Sequence, residues 1–160
     1  MLTAVIRADG SPQALAATLS VLVPAVAEGF LGHAVIVDAA GNPEIEHIAD
    51  ATGARYLNGG NEAWQRGAGA ARGDWIVLLD AGDVPQPHWV ETVERHLLLA
   101  SGQPALMPLE GGVASLRERA AFSFAGRQLR AGLILPKAAA LAGRLARRPK
   151  RLPARRARAG

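Results

Sequence analysis

The chain has no cysteine in its 160 residues, so disulfides and thiolate-held zinc are excluded. That absence fits a reducing cytoplasm. Aromatic residues are scarce at 4%, and Ala, Gly and Leu must fill much of the interior instead. No apolar run approaches the ~20 residues of a membrane-crossing helix. The stretch Met1–Arg7 lacks a basic lead and a long apolar core, so no signal peptide is expected. No Gly-x-x-x-x-Gly-Lys-Ser/Thr loop is present, which removes the P-loop nucleotidases. Gly67-x-Gly69 precedes a strand pattern instead of following one, so it is not a dinucleotide loop. His33, His47, His88 and His96 have no metal-ligand spacing. His88 lies near the Asp83 loop, where a helix-start surface residue is the first reading and a ligand contact the second.

What is present suits one folded domain: 49% of the residues are hydrophobic. The net charge of +4 hides an asymmetry. Residues 144–160 hold eight basic residues and no acid, which leaves a balance of −4 on the rest of the chain. The high isoelectric point therefore belongs to the tail. We expect a domain over residues 1–143 and a basic, solvated, flexible tail over 144–160. Such a tail could contact anionic lipid at about 1 kcal/mol per basic residue. Nucleic-acid binding ranks behind that.

Strand and helix patterns alternate up to residue 100. Leu2–Ile6, Ala34–Val37, Ala54–Leu57 and Trp75–Leu79 read as strands. Ser11-Pro12 and Asn42-Pro43 are helix starts, and Gly53 is a helix stop. Pro24 is expected to end or kink the first helix. Asn61 is expected to cap an Ala-rich helix reaching Arg72, and another helix runs near Pro87–Ala100. Further strands are expected at Ala105–Met107 and Leu133–Leu135, with a helical stretch around Ser115–Ala121. This order favours a mostly parallel α/β sheet flanked by helices.

The most informative stretch is Trp75-Ile76-Val77-Leu78-Leu79-Asp80-Ala81-Gly82-Asp83. A short apolar run buried on both faces ends in two carboxylates. Asp9 follows the first strand and Asp38 ends the second. In a parallel sheet these acids share the carboxyl edge, where open α/β folds bind ligands. Singly, each could merely cap a helix or begin a turn. Together they suit a ligand rich in hydroxyls, or a cation-bridged diphosphate.

The run from Asp38 through Gly53–Tyr56 and Arg66–Trp75 to Leu79-Asp80-Ala81-Gly82-Asp83 resembles the family 2 glycosyltransferases over roughly residues 2–100. The resemblance implies the GT-A nucleotide-diphospho-sugar transferase fold, which is Rossmann-like. It also implies a nucleotide-diphosphate-sugar donor and a divalent cation, Mn or Mg. By resemblance Asp38 would hold the base and Asp80 the ribose, as first acid of the DxD motif. Arg7 and Asp9 would line the nucleotide pocket, and Asp83 would hold the metal. Gly82 stands where the family has its second acid. No Asp or Glu follows Glu118, so no catalytic base is evident and the acceptor half looks shortened. Glu110 and Glu118 read as solvated surface charges. The resemblance implies sugar transfer to an acceptor of unknown identity, a lipid-linked or envelope glycan among the candidates. A cytoplasmic enzyme at the inner membrane face is expected. The alternatives are a catalytically inactive relative that binds nucleotide-sugar or a protein partner, and a basic-tailed lipid or nucleic-acid adaptor.

Overall fold

The computed structural model describes residues 1–100 and 102–159. The first apolar run forms β1 (Leu2–Ala8), which pairs in parallel with β2 (Leu31–Asp38) and with β4 (Trp75–Asp80). β3 (Arg55–Asn58) adds to β2, again in parallel. Ile76–Leu79 of β4 are fully buried, as expected of a strand covered on both faces. Three helices make the crossovers. α1 (Pro12–Ala27) starts where Ser11 accepts the Ala14 N–H at 3.2 Å. α2 (Pro43–Thr52) is capped by Asn42 and stopped by Gly53 in a left-handed conformation.

Two helix expectations need correction. α1 runs past Pro24 to Ala27. Pro24 is exposed and close to the helix end, so its missing N–H disturbs only the final turn. α3 spans only Ala63–Ala70, and its start is Glu62 at φ 54°, not Asn61. Gly67 lets α3 approach β1 so closely that a Cβ there would collide with Val5.

The second half reverses direction. β5 (Asp83–Pro85) and α4 (Trp89–Leu99) lead to β6 (Ala105–Leu106), α5 (Gly112–Phe124) and β7 (Leu133–Pro136). α6 (Lys137–Ala142), β8 (Lys150–Arg151) and β9 (Arg156–Arg158) follow. The main sheet has the order β3-β2-β1-β4-β7-β6-β8 and is mostly parallel, with β7 antiparallel to both neighbours. β5 and β9 form a separate antiparallel pair. Apolar clusters cover both faces of the main sheet.

The expectation of a flexible tail is corrected by these elements. β8 pairs in parallel with β6, and β9 pairs with β5. Leu145, Leu152, Ala154 and Arg156 are buried, while Arg151, Pro153 and Arg155 face solvent. That alternation is the strand period. Counting charge alone concealed it. A chain ending at Gly143 should therefore lose at least about 3 kcal/mol in urea unfolding, from uncovered apolar surface around Leu145 and Leu152. Unchanged stability would show that the segment is an appendage.

Candidate functional site

Parallel pairing fixes where the expected site residues lie. Arg7 is in register with Asp80, and Ala8 with Asp38, so all sit at the carboxyl edge. Asp9 follows directly in the loop after β1 and is exposed.

Asp80 and Arg7 meet as a two-pronged pair. Arg7 Nε donates to Asp80 Oδ1 at 2.8 Å, and Nη2 donates to Oδ2 at 3.2 Å. The guanidinium also lies over the Trp64 ring, 4.6 Å from its centroid. Trp64 is thus buried beneath the site as a platform for Arg7. The Asp80 side chain keeps 21% of its surface open.

Asp38 behaves differently. Its carboxylate is fully buried and accepts the N–H groups of Ala40 and Asn42 at 3.1 and 2.6 Å. It also accepts the Tyr56 hydroxyl at 2.9 Å. Asp38 therefore organises the loop after β2 and is not an open acceptor for a base.

Asp83 is also closed. Its side chain is 1% exposed, and Oδ2 accepts the Asp80 N–H at 2.9 Å. Arg156 Nε stands 3.3 Å from Oδ2 and Arg158 Nη1 3.4 Å from Oδ1. Arg158 also reaches to 3.9 Å from Asp80. Burial pushes the Asp83 pKa up, and both guanidiniums pull against it. Between the two acids, Gly82 has φ 98° and donates to Thr18 Oγ1 at 2.8 Å. A side chain at Gly82 would be strained in this conformation.

The sequence reading missed Arg156, Arg158 and the role of Glu118. Glu118 accepts from the Leu109 N–H at 2.7 Å and from Arg156 Nη2. It is a structural partner of Arg156, not a solvated charge. The period-two burial of Leu152, Ala154 and Arg156 was the signal that could have found this.

These groups line a groove of about 480 Å³ bordered by Arg7, Asp80, Asp83, Arg130, Arg156 and Arg158. Asp9 lines a neighbouring hollow that shares Arg158. Asp38 lines neither. A roomier apolar hollow of about 560 Å³ lies between α1 and the β2–β3 edge, away from the acid pair.

No family model and no curated protein matches the sequence. Solved structures do match. Glucosyl-3-phosphoglycerate synthase from Mycobacterium tuberculosis, crystallised with Mn2+, UDP-glucose and phosphoglyceric acid, matches with TM-score 0.67 and 19% identity, over 86% of this chain and 57% of that one. The same enzyme with Mn2+ and UDP-glucose matches with TM-score 0.64 and 20% identity, over 86% of this chain and 56% of that one. A further mycobacterial protein matches with TM-score 0.66 and 20% identity, over 86% of this chain and 53% of that one.

The chain has the GT-A fold. It spans little more than half the length of these GT-A neighbours. The crystals of the Mycobacterium tuberculosis enzyme hold Mn2+. Among the described residues, no group of three or more His, Asp or Glu is placed to hold a metal ion. Asp80 fits a cation as a partly open oxygen ligand. Asp83 could join it only if Arg158 moved aside, and further ligands would have to come from a diphosphate.

The Asp38 cluster has a direct spectroscopic check. Tyr56 is the chain's one tyrosine, so its phenolate absorbance is unambiguous. Desolvation, then the hydrogen bond to Asp38 and its charge, push its pKa from 10.0 up to about 12. The folded state holds this proton more tightly than the unfolded chain. The contribution to stability is complete below pH 10.0 and fades as the pH rises toward 12. Asp38→Asn should move the absorbance midpoint back toward 10.0; no movement would show that Asp38 does not hold the phenol.

Proposed function

We propose that this chain binds a nucleotide-diphosphate sugar at the carboxyl edge of β1 and β4 and transfers the sugar to an acceptor. The carrying observation is Asp80, partly open, paired with Arg7 and facing a groove at that edge. Arg7, Asp9 and Asp80 would contact the nucleotide. Asp38 and Tyr56 would shape the loop beside it. Support comes from the fold, since the neighbours' crystals hold UDP-glucose and Mn2+. A bound divalent cation would offset charge on the leaving diphosphate. Asp80 would be its first protein ligand, and Asp83 its second once Arg158 had moved.

A binder without turnover is the second reading. It is favoured by the engagement of Glu118 with Arg156, and by Glu110, which is exposed and accepts a hydrogen bond from Gln86 at 3.2 Å. Neither late acid is poised as a base. The exposed side chains Arg147, Arg148, Lys150, Arg151 and Arg155 would supply a peripheral contact with anionic lipid.

Calorimetry with UDP-sugars, with and without Mn2+, tests the donor reading. Binding should be tighter with Mn2+ and weaken about tenfold or more in Asp80→Ala, the loss of one charge-assisted contact. No binding of any donor would sink the reading. Hydrolysis of the bound donor separates the transferase from the binder. Arg158→Ala should tighten the Mn2+-dependent step by freeing Asp83; an unchanged Mn2+ dependence would show that Arg158 does not shield it.

A further inference from the structure

The hollow of about 560 Å³ beside α1 lies at the amino end of β2 and β3, away from the carboxyl edge that holds Asp80. It exists because β3 is short. β2 starts at Leu31, but β3 pairs with it only from Val35 onward. Among the described residues, no strand lies on the outer side of Leu31–Ala34. α1 and the turn at Gly53 frame the gap that results. Because α1 runs past Pro24, it supplies an apolar wall. Leu19, Leu22, Val23 and Val26 line the hollow from one side, and Ala34 and Ala54 from the other. Their spacing on α1 is that of a single helix face. Val23 and Val26 keep 62% and 49% of their surface open, so the fold leaves this wall uncovered.

The charge in the lining has one sign. Arg55, at the start of β3, and Arg72, in the link between α3 and β4, both line the hollow and are exposed to solvent. Among the described residues neither takes part in an ion pair. No Asp or Glu lines the hollow. His33 marks where the two charges converge. Burial first, then Arg72 and then Arg55, push its pKa down. An apolar trough with two free guanidinium groups at one place thus has a definite complement. That complement is a molecule with an apolar body and one anionic head.

We infer that this hollow binds a small amphipathic carboxylic acid, with its apolar body along α1 and its carboxylate between Arg55 and Arg72. A guanidinium takes a carboxylate in planar, two-pronged geometry. Apolar area withdrawn from water against Leu19, Val23 and Val26 supplies the rest of the affinity. A neutral chain would leave both arginines without a counter-charge, and a hydrophilic anion would leave the α1 wall wet. The site shares no lining residue with the groove at Asp80, so it is independent of the donor reading.

Octanoate is the probe, titrated into the full chain by calorimetry beside octanol and acetate, which each carry one of its two parts. Octanoate should bind about tenfold or more tightly than either, the scale of one charge-assisted contact. The double variant Arg55→Gln with Arg72→Gln should lose about tenfold in octanoate affinity. It should melt with the native protein when no ligand is present, because both side chains are exposed and unpaired. Val23→Ser should weaken octanoate and leave acetate unchanged. In NMR spectra the His33 ring signals should move on octanoate addition, and those of His88 should stay. Saturating UDP should leave octanoate affinity unaltered. No octanoate binding would overturn the site. Equal affinity for octanol would overturn the role of the carboxylate, as would octanoate binding that survives loss of both arginines. Sedimentation showing that the chain pairs with itself, with Val23→Ser returning it to the monomer, would give the hollow to a second copy and overturn the inference.

Discussion

Arg156 is the residue around which the carboxyl edge is assembled, and its surroundings explain why the edge holds together. Its side chain is 4% exposed and stands against Asp83, which is 1% exposed, and Glu118, which is 13% exposed. It also donates to the carbonyls of Met107 and Ala131. Three charges with net −1 are thus withdrawn from water in one place. Desolvating them costs several kcal/mol per ion, and only mutual pairing with further hydrogen bonds offsets it. Removing Arg156 alone would strand two buried acids. The C-terminal segment is therefore part of the site: β9 carries Arg156 inward, β5 carries Asp83, and α5 carries Glu118.

The rest of the edge divides its acids between structure and access. Asp38 accepts two backbone N–H groups and a phenol, so it fixes the loop after β2. Asp83 accepts the Asp80 N–H and fixes the tight turn between β4 and β5. Gly82 closes that turn with a conformation that side chains rarely adopt. Asp80 keeps an open face in the groove, and Arg7, braced on Trp64, holds it in position. One accessible carboxylate in a groove rich in guanidinium groups suits an anionic ligand better than an array of bare acids would.

Much of the first half of the fold was legible because its signals are local. A buried parallel strand is a continuous apolar run, and Ser11-Pro12 and Asn42-Pro43 announce helix starts. The shared edge of Asp9, Asp38 and Asp80 follows from strand order alone. What was not legible depends on long-range pairing. Nothing near Asp83 in sequence indicates that Arg156 and Arg158 will cover it. The alternation of Leu152, Ala154 and Arg156 is only three positions long and is masked by arginines on the other face. Asp38 reads the same whether its carboxylate faces a ligand or its own loop; the deciding N–H groups belong to a turn conformation that the sequence leaves open. Arg130 sits in a polar stretch where a half-buried, unpaired guanidinium has no sequence signature.

Arg156 and Arg158 are two residues apart on one strand, so they project to the same side and approach the same acid. Their environments separate their roles. Arg156 is sealed among carboxylates and carbonyls, and moving it would expose charges to a low-dielectric interior. Arg158 is 49% exposed, and its contacts with Asp80 and Asp83 are long, at 3.9 and 3.4 Å. The pair with the partly open Asp80 contributes at most about 1 kcal/mol, which a stronger cation could displace. The strand thus presents a fixed counter-charge and an exchangeable one within a single turn of the chain. The fixed charge keeps the turn at Asp80–Asp83 folded while the exchangeable one decides how much of Asp83 the groove can use.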